Sequence, residues 1–300
     1  MADDVTAFVT VAVTPEHAQR VRLLIESLRA FGGELSESPV WVFVPQPEVM
    51  PTHDLEGEIR RLPLELPETV NNYWFASKVY ACARAEALVP PETRSLIWVS
   101  FDCLILQPPT LLDLAPAFDA AVRPVHIKNV GLLTSEPLDA FWKGVYEVVG
   151  VDEMQITTET FVGQQRLRAY FNSHALAIHP GQGLFQRWFE IFEQLVTDDA
   201  FQSETCQDTL HRIFLHQAIL STLLATEIAP QRLRTLPPEY SYPYHLHTKV
   251  PPERRPAALN DLVSVAYEDC NLNPRQVEGF EIREPLRSWL AARFPPDART

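Results

Sequence analysis

Short runs dense in β-branched and aromatic residues alternate along the chain with longer stretches whose apolar positions recur every three to four residues. AFVTVAV (7–13) is the first run and predicts a strand. Pro15 then opens a helix, where its missing N–H costs nothing. Val21, Leu24, Ile25 and Leu28 follow at helical spacing, and Gly32-Gly33 end it. VWVFVP (40–45) is apolar at every strand position, the pattern of a strand covered on both faces in a parallel sheet. FASKVYACARAEAL (75–88) predicts a second helix and SLIWVSF (95–101) a third strand. The order β-α-β-α-β implies parallel strands joined by right-handed crossovers.

Further on, DAAVRPV (119–125) predicts a short strand, and AYFNSHALAIHP (169–180) a strand, a bend and a strand. QGLFQRWFEIFEQLV (182–196) places Phe185, Trp188, Phe192 and Leu195 on one helical face. CQDTLHRIFLHQAILSTLLA (206–225) is another helix, ended near Pro230. Beyond it the pattern is irregular, apart from a strand-like LVSVAY (262–267) and an amphipathic segment around PLRSWLAARF (285–294). No repeat, low-complexity run or linker divides the chain. The expectation is one α/β domain over 1–300, with a mostly parallel central sheet and helices on both faces.

Composition narrows the function. With 46% hydrophobic and 21% charged residues, the chain has the make-up of a soluble globular protein with a sizeable core. Its net charge of −14 opposes phosphate backbones and argues against a nucleic-acid partner. An anionic ligand would need the few cations gathered at one place. Glycine is scarce, with 10 residues, and neither GxGxxG nor GxxxxGK[ST] occurs. The start, MADDVTAFVTVAVTPEH, has acids where a signal peptide has bases, and its apolar run is too short for a membrane span. The four cysteines form no CxxC pair and read as reduced thiols in a cytoplasmic protein.

Ligands of open parallel sheets collect at the carboxyl ends of the strands. Three segments should meet there: residues 10–15, residues 100–103 and the bend at Asn172. Asp102 ends a buried strand, where it suits a metal or a catalytic task. Read alone, it is equally a turn-former or helix cap. Lys78 alone is equally a solvated helix residue. His245 and His247 share a face if HLH is a strand, as metal ligands would, and are ordinary loop histidines otherwise.

Several segments in order raise the chemistry above that level. FVTVAVTPEH followed by LLIESLRAFGG, then SKVYACARAEAL, IWVSFDCLILQPP, YFNSHALAIHP, HQAILSTLL and LPPEYSYPY occur in the order of one known family. The chain resembles nucleotide-sugar transferases of the GT-A fold, of the glycogenin and galactosyltransferase type, over roughly residues 5–270. The resemblance implies a nucleotide-binding half (1–130) and a donor-sugar and acceptor half (131–300). It implies transfer of a sugar from a nucleotide-diphosphate-sugar donor to an unknown acceptor. In such enzymes a DxD pair holds Mn²⁺ or Mg²⁺ on the donor diphosphate, where positive charge stabilises the leaving group.

Four positions depart from that pattern. Ser100 stands at the first acid of DxD, leaving Asp102. Ala266 stands at a late metal-binding histidine, His216 at the acid of an acid-Gln pair, and His174 at the glycine of FNSG. Two outcomes follow. The site works without a metal and holds the diphosphate with Lys78 and cations drawn from His174, His245, His247, Lys249 and Arg254. Alternatively, the chain is a non-catalytic nucleotide- or sugar-binding relative. The residues implied for the donor are Val9, Thr10, Val11, Ala12 and Val13 at the base and ribose. Lys78, Ser100, Phe101 and Asp102 are implied near the diphosphate, and Asn172, Ser173 and His174 at the sugar. Gln217 and Asn172 are implied by the reacting carbon. Asp102, with His245 and His247, are the candidate ligands of any Mn²⁺ or Mg²⁺.

Overall fold

The computed structural model describes residues 5–296. Its centre is a seven-stranded sheet. β1 (Val5–Val11) lies inside it, with β2 (Val40–Val44) on one side and the central strand β4 (Thr93–Val99) on the other, both parallel to it. β3 (Ile59–Pro63) extends the edge beyond β2, again parallel. β5 (Cys103–Ile105) leaves the main sheet. β6 (Ala120–Val122), β9 (Ala175–Ile178) and β10 (Leu233–Thr235) complete the order β10-β6-β9-β4-β1-β2-β3. β9 runs antiparallel to both neighbours, whereas β10 and β6 are parallel. β7 (Thr157–Glu159) and β8 (Arg166–Arg168) form a separate antiparallel pair, and β11 (Tyr242–Pro243), β12 (Ser264–Ala266) and β5 form a small sheet.

Helices cover both faces, as the strand pattern requires. α1 (Pro15–Phe31) turns Val21, Leu24, Ile25 and Leu28 onto a core shared with Phe8, Val40, Val42 and Val44. On the opposite face, α2 (Ala76–Leu88) packs on β1 and against α4 (Leu184–Thr197), which packs in turn on α6 (Thr209–Glu227). α3 (Ala140–Val149) also packs on α6, and Ala7, Val9 and Val11 point into this second core. The alternation of β1 between two buried faces is the period of two expected of a pleated strand. α5 (Asp199–Glu204) and α7 (Leu286–Arg293) are short outer elements. No helix among the described residues is long and apolar enough to cross a membrane.

The main differences from the expected elements are local. Residues 169–180 supply one strand rather than two: β9 forms, but ahead of it Phe171 makes only an isolated bridge to Pro124. The Asn172 side chain bends the chain there by accepting the His174 N–H at 2.7 Å. HLH (245–247) lies in a 3-10 turn, Tyr244–Lys249, not in a strand.

Candidate functional site

The parallel pairing of β1 with β4 brings their carboxyl ends side by side, with Val9 opposite Trp98. β9 runs the other way, so its start lies by the end of β4. Ala175 is opposite Val99, and Ser100 N–H donates to His174 O at 2.7 Å. The 10–15, 100–103 and 172 segments therefore do converge. Above them opens a cavity of about 520 Å³, within the size range of small-molecule sites. It is lined by the first two turns of α1 (Glu16, His17, Arg20), the start of α2 (Phe75, Lys78), the turn Ser100-Phe101-Asp102 and the bend Asn172-Ser173-His174. His126 after β6, His216 and Gln217 of α6, His245, and Glu268-Asp269 after β12 close it.

Lys78 is the central group. It is 5% exposed, and its ammonium donates to the carbonyl oxygen of Ser173 and to Ser173 Oγ at 2.7 Å. The Trp98 ring lies 5.4 Å from it. Burial lowers its pKa to about 8, partly opposed by nearby thiols and Asp102. Two of its three donors are used on Ser173, which leaves one for the cavity. Ser173 Oγ also lies 3.2 Å from His216 Nε2 and 3.1 Å from Gln217 Oε1. His216 Nδ1 faces the Ile213 carbonyl at 2.8 Å, so the proton of the neutral ring sits on Nδ1 and Nε2 is the acceptor. Burial, then Lys78, holds His216 well below its usual pKa and keeps it neutral.

Phe75 holds the α2 entrance in a left-handed conformation (φ 60°), uncommon for a side chain of its size. That conformation stacks its ring on His216 at 4.4 Å while leaving it 45% exposed at the cavity mouth. Elsewhere in the lining, His17 stacks on Phe101 at 4.0 Å between centroids.

The fixed charges differ from the expectation of a cation-rich pocket. Lys78 and Arg20 line it, but so do Glu16, Asp102, Glu268 and Asp269. Arg20 is engaged by Asp269 at 2.9 Å, Glu16 at 3.2 Å and the Glu268 carbonyl at 2.7 Å. Glu268 Oε1 lies 3.2 Å from His245 Nε2 and 3.6 Å from His174 Nε2. The gathered basic groups are mostly histidines: five of the chain's nine line this one cavity.

Residues 8–226 match the family described as Rhodobacterales glycosyltransferase domain, which is more than half of the chain. The chain belongs to this family. No curated protein matches it. Among solved structures it is similar to the apo form of WbbM, described as a bifunctional glycosyltransferase. The TM-score is 0.53 at 11% identity, covering 89% of this chain and 46% of that one. That likeness is one of fold, and the chain spans less than half the length of WbbM. The resemblance drawn from the sequence holds at the level of family and fold.

Within this glycosyltransferase domain the sequence-implied residues divide. Lys78, Ser100, Phe101, Asp102, Asn172, Ser173, His174, Gln217 and His245 line the cavity. Val9, Thr10, Val11 and Ala12 are buried in or just after β1, and neither they nor Val13 line it. β1 ends at Val11, and the wall of the cavity begins only beyond the non-helical residues 12–14, at Glu16 in the first turn of α1. His247 points elsewhere: its Nδ1 pairs with Tyr242 Oη at 2.8 Å and its ring lies 4.0 Å from Phe280. A 3-10 turn does not keep alternate residues on one face as a strand would, so His245 and His247 separate. Lys249 is exposed, Arg254 pairs with Glu159, and neither lines the cavity.

Of the candidate ligands for Mn²⁺ or Mg²⁺, Asp102 and His245 line the cavity and His247 does not. Beside a diphosphate such an ion takes one or two carboxylates, and phosphate oxygens and water complete its shell. Ser100 and Ala266 occupy the expected partner positions, and Ala266 is fully buried opposite Cys103. Among the described residues no group of three or more His, Cys, Asp or Glu side chains is arranged to hold a metal ion.

Sequence reasoning missed Glu16, His17, Arg20, Phe75, His126, Glu268 and Asp269. The α1 residues carried a usable signal, since 16, 17 and 20 share one face of the first two turns after the first strand. His126 and Glu268 carried none, because only tertiary convergence brings them here.

Proposed function

We propose that the domain transfers a sugar from a nucleotide-diphosphate-sugar donor to an acceptor, and that Lys78 takes the place of a metal ion on the diphosphate. One observation carries this reading. Lys78 is a buried ammonium with neutral oxygen partners, in a cavity at the ends of β1 and β4. A buried charge is costly unless an opposite charge compensates it. A bound diphosphate supplies that charge. In the reaction, the bond from the sugar to the β-phosphate oxygen breaks and negative charge grows on the leaving diphosphate. A preorganised ammonium then stabilises the transition state more than the ground state.

The other residues take roles by position. The His17–Phe101 stack offers an aromatic face to the base, in place of the strand residues 9–13. Asp102 accepts a ribose hydroxyl. Asn172 uses its Oδ1 to hold His174 at 2.7 Å and 3.0 Å, which leaves its amide N–H groups for the donor sugar. Gln217, fixed by Ser173, stands beside the reacting carbon. All four cysteines are free thiols, which fits a cytoplasmic setting.

A binding-only relative is the second reading, favoured by His216, which removes the carboxylate of the acid-Gln pair. Thermal shifts with UDP, GDP and their sugars, in EDTA and in Mn²⁺, test the first reading. Ligand at a hundred times its dissociation constant should add about 2.7 kcal/mol of stability. Binding that persists in EDTA, with donor hydrolysis or transfer, supports the proposal. Binding without turnover selects the second reading, and no response to any nucleotide removes both.

A further inference from the structure

His126 follows β6, in the segment RPVHIK, and is 5% exposed. It lines the cavity, yet neither Nδ1 nor Nε2 has a hydrogen-bond partner. His17 and His245 each leave one ring nitrogen in that state; His126 leaves both. Buried polar atoms are rarely left unpaired, because each costs free energy that an apolar side chain would avoid. A histidine retained in such a place, with open cavity beside it, is built to be completed by what enters the cavity.

The chemistry of the ring selects the partner. Burial and the nearby Arg123, His174 and His245 hold its pKa well below the usual histidine value, so the ring is neutral. Arg123 is itself fixed, donating to the carbonyls of Tyr240 and Ser241. A neutral imidazole offers one N–H donor and one lone pair. A phosphate at neutral pH mainly accepts and would leave the lone pair unmet. A sugar hydroxyl both donates and accepts, and a neighbouring pair of hydroxyls meets both nitrogens. The ring also lies on the wall of the 172–174 bend, 6.0 Å from the His174 ring and tilted 27° to it. That is the wall assigned above to the donor sugar.

We propose that His126 is a specificity-determining residue that reads hydroxyl groups of the donor sugar through its two ring nitrogens. The inference rests on the donor reading given above. Its test compares wild type with His126→Phe and His126→Asn by calorimetry. The ligands are UDP, GDP, UDP-glucose, UDP-galactose and GDP-mannose. For the nucleotide sugar that wild type binds, His126→Phe should lose about tenfold or more in affinity, while the parent nucleoside diphosphate changes less than about threefold. His126→Asn, which keeps a donor and an acceptor, should recover part of the loss. Ligand-free His126→Phe should melt at or above the wild-type temperature, because two unpaired buried nitrogens are gone. Donors lacking one sugar hydroxyl in turn should include one that wild type and His126→Phe bind alike. Equal losses for the sugar and the free diphosphate, or no loss for either, overturn the assignment while leaving the transferase reading intact. Wild type that binds no nucleotide or nucleotide sugar overturns both. If His126→Phe does not fold, His126→Asn decides: sugar-selective loss supports the assignment, and unchanged affinity sinks it.

Discussion

Lys78 donates to Ser173 Oγ at 2.7 Å from the first turns of a helix, and Ser173 reaches back to it from the bend before β9. The two lie 95 positions apart in sequence. The pair holds the ammonium in place but does not neutralise it, which makes Lys78 the group whose removal should separate binding from folding. Lys78→Met keeps the length and the apolar stem and removes the charge. Donor and nucleoside diphosphate affinity should fall by roughly tenfold to a hundredfold, as for loss of a hydrogen bond to a charged group. The melting temperature of the ligand-free protein should not fall, since a desolvated ammonium is no longer buried. Calorimetry with thermal melts checks both. Ser173→Ala, which frees Lys78 without removing it, should cost less affinity than Lys78→Met.

The same group sets a pH limb. The folded pKa of Lys78 is depressed to about 8, so the ammonium is present at pH 7 and is lost as pH rises through 8. A bound diphosphate favours the charged form, so binding above pH 8 takes up a proton. Affinity for the nucleoside diphosphate should then fall by up to about tenfold per pH unit above 8. His17, His126, His216 and His245 have pKa values pushed below the usual histidine value and titrate on the acid side of this window. Isothermal titration from pH 6.5 to 9.5 should show the limb in wild type and a flat profile in Lys78→Met.

Much of the fold was legible because burial leaves a periodic trace. β2 is apolar at every position since both faces are covered, and α1 carries its stripe on the side that meets the sheet. β3 left no trace: it is an edge strand whose Arg60 and Arg61 are exposed, so nothing alternates. α3 was not predicted either, although its signal was complete in the sequence. Asp139 caps its start, Phe141, Trp142, Val145 and Tyr146 form its apolar face, and Gly150 ends it in a left-handed conformation. Of the cavity's lining, Lys78, Asp102, Asn172, Ser173 and Gln217 were singled out through the order of segments. The acids that share the cavity, Glu268 and Asp269, follow a strand of only three residues in the irregular third of the chain, where no pattern marks them.

Away from the cavity, Glu86 on α2 gives a stability test. Its Oε2 accepts the Gln186 N–H at 2.8 Å at the start of α4, while Oε1 is buried without a partner. Burial outweighs the backbone hydrogen bonds and raises its pKa from 4.5 to about 7. The folded state therefore holds this proton more tightly than the unfolded chain. The stability it contributes is complete below about pH 4.5 and is lost as pH rises to about 7. Glu86→Gln keeps an acceptor for Gln186 and removes the charge. It should raise stability at pH 8 by at most about 3 kcal/mol and leave it nearly unchanged at pH 4.5. Urea unfolding at the two pH values reads the difference.

Asp102 separates the metal-free reading from a metal site. If it accepts a ribose hydroxyl, Asp102→Asn exchanges a charged acceptor for a neutral one, at a cost of about 1–2 kcal/mol, or roughly fivefold to thirtyfold in affinity. That loss should be the same in EDTA and in Mn²⁺, and wild-type affinity should change less than about twofold between the two. A metal ligand would behave otherwise: Mn²⁺ would tighten wild type strongly, and the substitution would abolish only that gain. A second consequence follows from the charge itself. Asp102 is among the groups that raise the Lys78 pKa against burial. Removing its charge should let that pKa fall further, so the alkaline limb of diphosphate binding should move to lower pH in Asp102→Asn. Calorimetric pH profiles of the two proteins, recorded in EDTA, test the coupling, and an unmoved limb would mean that the carboxylate does not act on the ammonium.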